Sequence, residues 1–237
     1  MLALPRLLAA AGLALTIALA SPGARAQQRQ HGRLFPPQDL GLLEGPDRDA
    51  WQQPDQIMDF LEIAEGSVVA DLGAGGGWFT IRLARRVQPN GRVYAEDIQP
   101  EMIGAIKRRV EREGLQKVVE PVLGSALNPQ LPAPVDVVLI VETYYEMDDP
   151  RTLLRNVRKS LKPGGRVGIV NFTKAGYGPG PPMEQRVDAE TVIRDAEAAG
   201  LRLAARAEFL RYQYLLKFVA TQPHGSTRAT VQHGSTR

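Results

Sequence analysis

The chain contains no cysteine, and its three histidines, His31, His224 and His233, lie towards the two ends of its 237 residues. The lack of cysteine excludes disulfide scaffolds, thiolate zinc sites, iron–sulfur clusters and cysteine nucleophiles. A folded body between about residues 40 and 221 contains no histidine, which excludes a Ser-His-Asp triad and an imidazole-ligated metal there. We therefore expect no metal site.

The chain also lacks a large excess of charge of one sign. Lysine and arginine number 29 and aspartate and glutamate 26, which gives a net charge of +3. With 43% hydrophobic and 23% charged residues, the composition is typical of one globular domain of ordinary size. No basic patch with interleaved aromatic residues stands out, so we expect no nucleic-acid partner.

Residues 1–26 have the pattern of an export signal. Arg6 precedes an apolar run at residues 7–20, and residues 24–26 (ARA) form a small-x-small cleavage motif. The run is shorter than the roughly 20 residues that a membrane-spanning helix needs. There is no twin arginine, so we expect a Sec-type signal cleaved after Ala26, a periplasmic or secreted protein and no stable membrane insertion after cleavage. An uncleaved membrane anchor is the alternative.

The remaining chain divides into three parts. Residues 27–50 are rich in Gln, Pro, Gly and Arg and are expected to form a linker and an N-terminal arm that packs on the domain. The domain itself is expected at residues 51–221. Residues 222–237 are polar and contain HGSTR twice, which predicts a disordered tail.

Predicted strands and helices alternate within the domain. Strands are predicted at residues 67–72, 92–97, 117–123, 135–141 and 166–172, and helices at 53–63, 78–87, 100–113, 150–161 and 188–199. Two final strands, at about 202–209 and 212–220, are joined almost without a gap and are expected to be antiparallel. This order predicts a Rossmann-like three-layer α/β sandwich with a mostly parallel seven-stranded sheet and a C-terminal antiparallel hairpin. Ligands of such sheets bind outside the carboxyl ends of the strands.

A glycine-rich loop and a distant acid indicate what binds there. Gly73, Gly75 and Gly77 follow the first strand and open a helix, and glycine lets the backbone turn sharply and lie close to a ligand. Asp97 ends the second strand, where its carboxylate can accept both hydroxyls of a ribose. This is a nucleoside-binding arrangement, although a tight strand–helix turn without a ligand gives the same pattern.

The dinucleotide fingerprint G-x-G-x-x-G/A does not fit this loop. Counted from Gly73 it places Trp78 at the last position, and counted from Gly75 it places Thr80 there. That position needs a small residue for helix–strand packing. A nicotinamide-dependent oxidoreductase is therefore disfavoured.

Three segments in order resemble the motifs of class I S-adenosylmethionine-dependent methyltransferases. They are VVADLGAGGGWFT (68–80), VYAEDIQPEM (93–102) and LKPGGRVGIV (161–170), and the resemblance covers about residues 40–220. Residues 35–61 resemble the N-terminal region of exported bacterial methyltransferase-domain proteins. The resemblance implies that the cofactor is S-adenosyl-L-methionine.

It also implies roles for individual residues. Asp71 is expected near the methionine ammonium group, and Asp97 is expected to hold the ribose, with Glu96 as the alternative if the strand is one residue out of register. Ile98 is expected to cover one face of adenine. Ser125 and Ala126 stand where the family often has an acid for adenine. The complete cofactor-binding set is Asp71, Gly73, Gly75, Gly77, Asp97, Ile98, Ser125, Ala126 and Glu142.

The acceptor is expected beside residues 142–147, after the fourth strand, and the loop 174–186. Tyr145 and Glu146 are the candidate catalytic residues, which would orient or deprotonate an acceptor. The alternative is that they are a pocket wall and a solvated charge, because adjacent residues of an extended chain point in opposite directions. Trp51 is a candidate lid over the donor or a core residue, and the Gly/Pro-rich residues 176–182 form a flap or a plain connector.

The predicted function is methyl transfer to an unidentified, small-molecule acceptor. The lack of cysteine excludes arsenic methylation through thiols. The alternative is an exported, non-catalytic module of the same fold that binds S-adenosylmethionine or another nucleoside. The sequence sets no expectation for the oligomeric state.

Overall fold

Residues 34–175 and 178–221 are described by the computed structural model, and their strands form one sheet. The predicted export signal and the predicted polar tail lie outside these residues. The strands are β1 (Val68–Leu72), β2 (Arg92–Asp97), β3 (Val119–Leu123), β4 (Val135–Val141), β5 (Leu161–Phe172), β6 (Leu201–Ala207) and β7 (Gln213–Ala220). Within the described residues the sheet has seven strands in the order β3-β2-β1-β4-β5-β7-β6.

The pairing of the strands confirms the predicted fold class. Strands β1 to β5 are parallel neighbours, whereas β7 pairs antiparallel with both β5 and β6. The order reverses between β1 and β4, which lie side by side at the centre. In a sheet of this kind the carboxyl ends of β1 and β4 border the ligand crevice.

The helices lie close to their predicted positions. They are α1 (Arg48–Gln52), α2 (Pro54–Phe60), α3 (Trp78–Val87), α4 (Pro100–Arg112), α5 (Pro150–Lys159) and α6 (Ala189–Ala198), with short 3-10 helices at Pro37–Leu43, Tyr144–Glu146 and Met183–Gln185. Proline at the first helical position fixes the start of α2, α4 and α5, since its missing N–H has no partner in the first turn of a helix. Asp149 caps α5 by accepting a hydrogen bond from the Thr152 amide at 3.0 Å.

One local prediction was wrong. The fifth strand was predicted at residues 166–172, but β5 already begins at Leu161, which pairs with Val135. A register shift between Val135 and Val137 accommodates the extra residues, as a bulge does. Gly164, with φ of 77°, lies in this irregular part of the strand.

Two apolar clusters cover the two faces of the sheet. Val69 on one face packs with residues of α2, α3 and α4, and its neighbour Ala70 packs with residues of α5 and α6 on the other. Five of the seven residues of β4 are buried, as expected for a central parallel strand with helices on both sides. The core therefore fixes the strand ends firmly, and the loops that follow them have a rigid support.

The N-terminal arm, which we define as residues 34–52, lies against the carboxyl edge of the sheet. The amide of Phe35 donates to Glu146 Oε2 at 3.1 Å, and Gln99 Nε2 donates to the Phe35 carbonyl at 3.1 Å. Arg109 of α4 pairs with Glu44. The arm is thus tied to the residues that follow β4 and β2.

Within the described ranges, we find no helix with the length and apolar content needed to cross a bilayer.

Candidate functional site

A cavity of about 640 Å³ opens at the carboxyl ends of the central strands. Its walls come from the arm, the glycine loop after β1, the end of β2, the loop after β3, the residues after β4 and the end of β5. Ten of the eleven predicted site residues line it. They are Asp71, Gly73, Gly75, Asp97, Ile98, Ser125, Ala126, Glu142, Tyr145 and Glu146.

The first two glycines of the loop shape the cavity. Gly73 and Gly75 have φ of 72° and 55°, a left-handed conformation that glycine adopts without strain. A Cβ on Gly73 would lie 2.3 Å from Thr143 Oγ1, so the residue after Glu142 packs directly against the loop. On Gly75, a Cβ would have no neighbour closer than 3.9 Å.

Gly77 is not among the residues that line the cavity. It precedes α3 with φ of 78°, and a Cβ there would lie 3.6 Å from side-chain atoms of Ile106 and Arg109. The third glycine of the motif is thus explained by a helix start packed against α4. The predicted contact of Gly77 with a cofactor stays a prediction.

Asp97 is fixed by the glycine loop. Its Oδ2 accepts a hydrogen bond from the Gly75 amide at 3.0 Å, and its Oδ1 accepts one from the Gln99 amide at 2.9 Å. Asp97 is 6% exposed, and burial raises the pKa of its carboxyl group. The end of β2 thus presents an oriented carboxylate towards the cavity.

Glu96, the predicted alternative, lies deeper beside the same loop. Its Oε2 accepts a hydrogen bond from the Gly73 amide at 3.3 Å, and burial raises its pKa to about 8. A Cβ on Gly124 would overlap the Glu96 carboxylate, so glycine at that position leaves room for the acid. Both acids border the cavity, and Asp97 is the one held by two backbone amides.

Asp71 lies at the end of β1 beneath the glycine loop. It is 2% exposed and accepts a hydrogen bond from Thr80 Oγ1 at 2.6 Å. Burial raises its pKa to about 6, while Thr80 and Arg48 oppose the shift.

The Ser125 hydroxyl donates to the Asn128 carbonyl at 3.1 Å, so in this structure it stabilises the turn at residues 125–128.

Glu142, at the end of β4, is held by a chain of two glutamines. Gln213 Nε2 donates to Glu142 Oε1, and Gln52 Nε2 donates to Gln213 Oε1 at 3.3 Å. Glu142 has φ of 57°, an uncommon conformation for a residue with a side chain, and burial raises its pKa to about 8. Gln52 and Gln213 were not predicted, because the contact joins residues 161 positions apart and neither belongs to a motif.

Tyr145 and Glu146 both line the cavity, so the argument that adjacent residues point apart was wrong. Residues 144–146 form a 3-10 helix rather than an extended chain, and Tyr145 hydrogen-bonds to Glu146. Burial raises the pKa of both side chains. Tyr144 instead turns away and donates to Asp195 Oδ2 at 2.9 Å.

Aromatic and proline residues close the cavity at the end of β5. The Trp51 ring lies 5.6 Å from the Phe172 ring and 6.5 Å from the Tyr212 ring, and it also borders the cavity. Residues 179–182 line the same side. Arg186 holds this loop in place by donating to three carbonyl oxygens, including those of Pro179 and Pro181 at 3.0 and 2.9 Å.

In the described part of the chain, no three His, Asp or Glu residues are grouped as metal ligands.

Comparison with known proteins bears on what this site binds. Residues 69–165 match the family of the methyltransferase domain. The chain is 31% identical over 115 residues to demethylmenaquinone methyltransferase of Lactobacillus johnsonii, covering 48% of this chain and 47% of that protein. It is 34% identical over 140 residues to a probable cobalt-precorrin-6B C(15)-methyltransferase (decarboxylating) of Methanothermobacter thermautotrophicus, covering 59% and 65%.

A solved structure gives a more complete match. The crystal structure of a SAM-dependent methyltransferase from Aquifex aeolicus has a TM-score of 0.73 and 27% identity, and covers 78% of this chain and 98% of that one. These matches confirm the predicted class for the matched domain, that of the class I S-adenosylmethionine-dependent methyltransferases, and its cofactor. The chain spans about half the length of the first curated relative and about two thirds of the second.

Proposed function

We propose that this protein transfers the methyl group of S-adenosylmethionine to a small-molecule acceptor. One observation supports this most directly: the glycine loop and the Asp97 carboxylate that it orients open on a cavity that continues past the end of β4. A nucleoside donor and an acceptor can then lie end to end at one edge of the sheet.

The donor half of the cavity lies over β1, β2 and β3. The bare backbone at Gly73 and Gly75 allows close approach, Asp97 offers two oxygens to vicinal hydroxyls, and Ile98 offers an apolar surface to a base. These residues fit the cofactor. When bound, S-adenosylmethionine supplies an electrophilic methyl group on a sulfonium ion.

The acceptor half lies over β4 and β5. Trp51 and Phe172 supply aromatic surface, and Glu142, Tyr145 and Glu146 supply the polar groups. The chain positions the nucleophile in line with the methyl group, which can lower the barrier considerably. Glu142 has a pKa raised to about 8, close to working pH, which suits a group that removes a proton from the acceptor.

The size and closure of the cavity support a small acceptor. Its volume of about 640 Å³ falls within the range of small-molecule sites, and the arm forms part of its wall. Curated relatives are named for demethylmenaquinone, ubiquinone biosynthesis and precorrin. By analogy, and in keeping with the aromatic wall, we propose an acceptor with an apolar ring.

A non-catalytic binding module is the second candidate. Its support is that both acceptor-side carboxylates are already engaged by the protein, Glu142 by Gln213 and Glu146 by the Phe35 amide. The two candidates share donor binding and differ in turnover. Release of labelled methyl product with any acceptor of a ring-compound panel supports the enzyme, whereas tight donor binding without transfer to any of them supports the module.

Donor binding is tested by calorimetry with S-adenosylmethionine, S-adenosylhomocysteine and NAD. We expect binding of the first two and none of NAD. Asp97→Asn should abolish donor binding, because it removes the carboxylate at the end of β2. The matched control is Asp136→Asn, since Asp136 is the second residue of β4, at the opposite end of the parallel strands, and pairs there with Lys162 at 2.8 Å. Equal losses in both variants would contradict the assignment of the ribose site.

We also infer that the protein is exported. The basic start, the short apolar run and the small-x-small motif of residues 1–26 support this. Sequencing the N-terminus of the protein recovered from cell fractions tests it. A first residue at Gln27 in the periplasm or medium is the expected result, and a protein that starts at Met1 in the cytoplasm would contradict export.

A further inference from the structure

Arg48 stands alone in the charge pattern of the cavity. Among the described residues that line it, Arg48 is the one basic residue, against eight acidic ones. The acidic residues are Glu44, Asp47, Asp71, Glu96, Asp97, Glu142, Glu146 and Asp148. Such a cavity suits the sulfonium and the ammonium group of the donor. The amino acid end of the donor also has a carboxylate, and Arg48 is the lining residue with the opposite charge.

The guanidinium of Arg48 is held in place without being neutralised. It lies 4.1 Å from the centre of the Trp78 ring, its Nε donates to Gln52 Oε1, and its Nη1 donates to the Leu43 carbonyl. All three partners are uncharged. Within the described residues Nη2 donates to no protein group and Arg48 forms no salt bridge. The side chain is thus oriented, and its charge is available to a ligand.

The position of Arg48 matches the amino acid end of the donor. Trp78 directly follows the glycine loop, so a cation above its ring lies beside that loop. Asp71 and Glu142, at the ends of the two central strands, are near enough to raise the pKa of Arg48, although burial lowers it to about 10. Arg48 therefore stays charged at neutral pH and lies between the donor loop and the acceptor half.

Resting on the proposed function, we propose that Arg48 binds the carboxylate of the donor's amino acid group. The arm then supplies a donor ligand from outside residues 69–165, the part that matches the methyltransferase domain. The planar guanidinium group binds a carboxylate well because its N–H groups point in fixed directions. In Arg48, Nε and Nη1 already donate to Gln52 and Leu43, and Nη2 is the nitrogen that would donate to the carboxylate. The contacts that hold the arm in place therefore also hold this donor ligand in position.

The test uses calorimetry on the full chain to measure how tightly the wild type and Arg48→Met each bind two ligands. The ligands are S-adenosylhomocysteine and its decarboxylated analogue, which keeps the amine and lacks the carboxylate. With the wild type, loss of the carboxylate should weaken binding roughly 10- to 100-fold, as expected for a hydrogen-bonded charge pair. With Arg48→Met the two ligands should bind within about 2-fold of each other, since the partner of the carboxylate is gone.

Arg82→Met is the matched control. Arg82 also stacks on Trp78, at 3.5 Å from the ring centre, but it pairs with Asp49 and does not line the cavity. Like Arg48→Met, this variant removes one positive charge from the Trp78 ring. It should keep the wild-type ratio between the affinities for the two ligands. Arg48→Lys serves as the second variant, in case Arg48→Met does not fold. It keeps the charge without the fork and should give an intermediate ratio.

The outcomes separate this inference from the proposed function. If the wild type binds S-adenosylhomocysteine well and Arg48→Met keeps the full preference for the carboxylate, the role of Arg48 is wrong and the proposed function stands. An equal fall in preference in Arg82→Met would also overturn it, because the effect would then be general to the Trp78 ring. If the wild type binds neither ligand, the proposed function fails and this inference fails with it.

Discussion

Arg109 of α4 binds Glu44 of the arm through two parallel hydrogen bonds, of which the one from Nη2 to Oε2 measures 2.6 Å. The same guanidinium donates from Nη1 to the Gly76 carbonyl at 2.9 Å. One side chain thus connects the arm, the glycine loop and the helix that follows β2. The pair is largely shielded, with 18% of the Arg109 side chain and 33% of the Glu44 side chain exposed.

Arg109→Met should therefore weaken donor binding by loosening the arm. We expect a loss of about 1 kcal/mol, or roughly 5-fold in affinity for S-adenosylhomocysteine, because a bidentate pair of this kind exceeds an ordinary surface pair. Hydrogen exchange of residues 37–52 should become faster in the same variant. Arg85→Met is the control, since the Arg85–Glu113 pair is more exposed and touches neither the arm nor the loop. If both variants bind the donor equally well, the arm is held by other contacts.

Gly73→Ala should lower the free energy of unfolding more than Gly114→Ala does. Both glycines have positive φ, 72° and 67°, so both variants pay the left-handed penalty of roughly 1 kcal/mol. At Gly73 the new methyl group would also lie 2.3 Å from Thr143 Oγ1, whereas at Gly114 nothing lies within 4 Å. Urea unfolding should show a larger loss for Gly73→Ala, and donor affinity should fall in that variant alone. Partial recovery in Gly73→Ala with Thr143→Gly would identify the clash as the cause.

Much of the framework was predictable, because local patterns determine it. The apolar run at residues 135–141 and the proline-started helices are properties of short segments, and their predicted bounds agree with the structure to within a few residues. The family was also predictable, since three motifs occur in one order. The glycine loop and Asp97 meet at the cavity because parallel strands end at a common edge.

The remaining features depend on contacts that no segment encodes alone. The bond between the Phe35 amide and Glu146 joins residues 111 positions apart, and the Gln52–Gln213 contact joins residues 161 apart. Tyr145 and Glu146 share the cavity because the chain turns after β4, and no glycine or proline marks this turn in the sequence. Gly77 belongs to a sequence motif of the cofactor site and yet packs on α4.

The buried acids should make the protein less stable as pH rises. Burial raises the pKa of Glu142 from 4.5 to about 8, so the folded state holds this proton at pH values where the unfolded chain has lost it. Stability from this group is fully present below pH 4.5 and is lost as pH rises towards 8, with a slope of up to roughly 1.4 kcal/mol per pH unit.

Glu142→Gln removes this titration and keeps an oxygen for the Gln213 hydrogen bond. Urea unfolding at pH 5.5, 7 and 8.5 (about the range of the shift) should show a flatter pH dependence than in the wild type, and the gain in stability should be largest at the highest pH. Glu62→Gln is the control, because Lys217 lowers the pKa of Glu62 below its ordinary value of 4.5, so this variant should keep the wild-type pH dependence over the same range. An undiminished fall in stability with pH in Glu142→Gln would show that Glu142 is ionised in the folded protein.

Tyr145→Phe should separate chemistry from donor binding. The Tyr145 hydroxyl hydrogen-bonds to Glu146 and lowers its pKa against the rise caused by burial. Without it, the Glu146 carboxyl should hold its proton to higher pH, and the acidic limb of the pH–rate profile should move upward if Glu146 acts on the acceptor. With an acceptor found in the labelled-donor screen, turnover should fall by at least about 10-fold, while affinity for S-adenosylhomocysteine stays within about 2-fold.

The adjacent tyrosine is the control for this prediction. Tyr144 donates to the buried Asp195 on the other side of the turn, so Tyr144→Phe should cost about 1 kcal/mol in urea unfolding. It should leave the acidic limb of the pH–rate profile in place, because it does not alter the surroundings of Glu146. A shift of that limb in Tyr144→Phe and none in Tyr145→Phe would assign the effect to the fold of residues 144–146, and Tyr145 would then be a wall of the cavity.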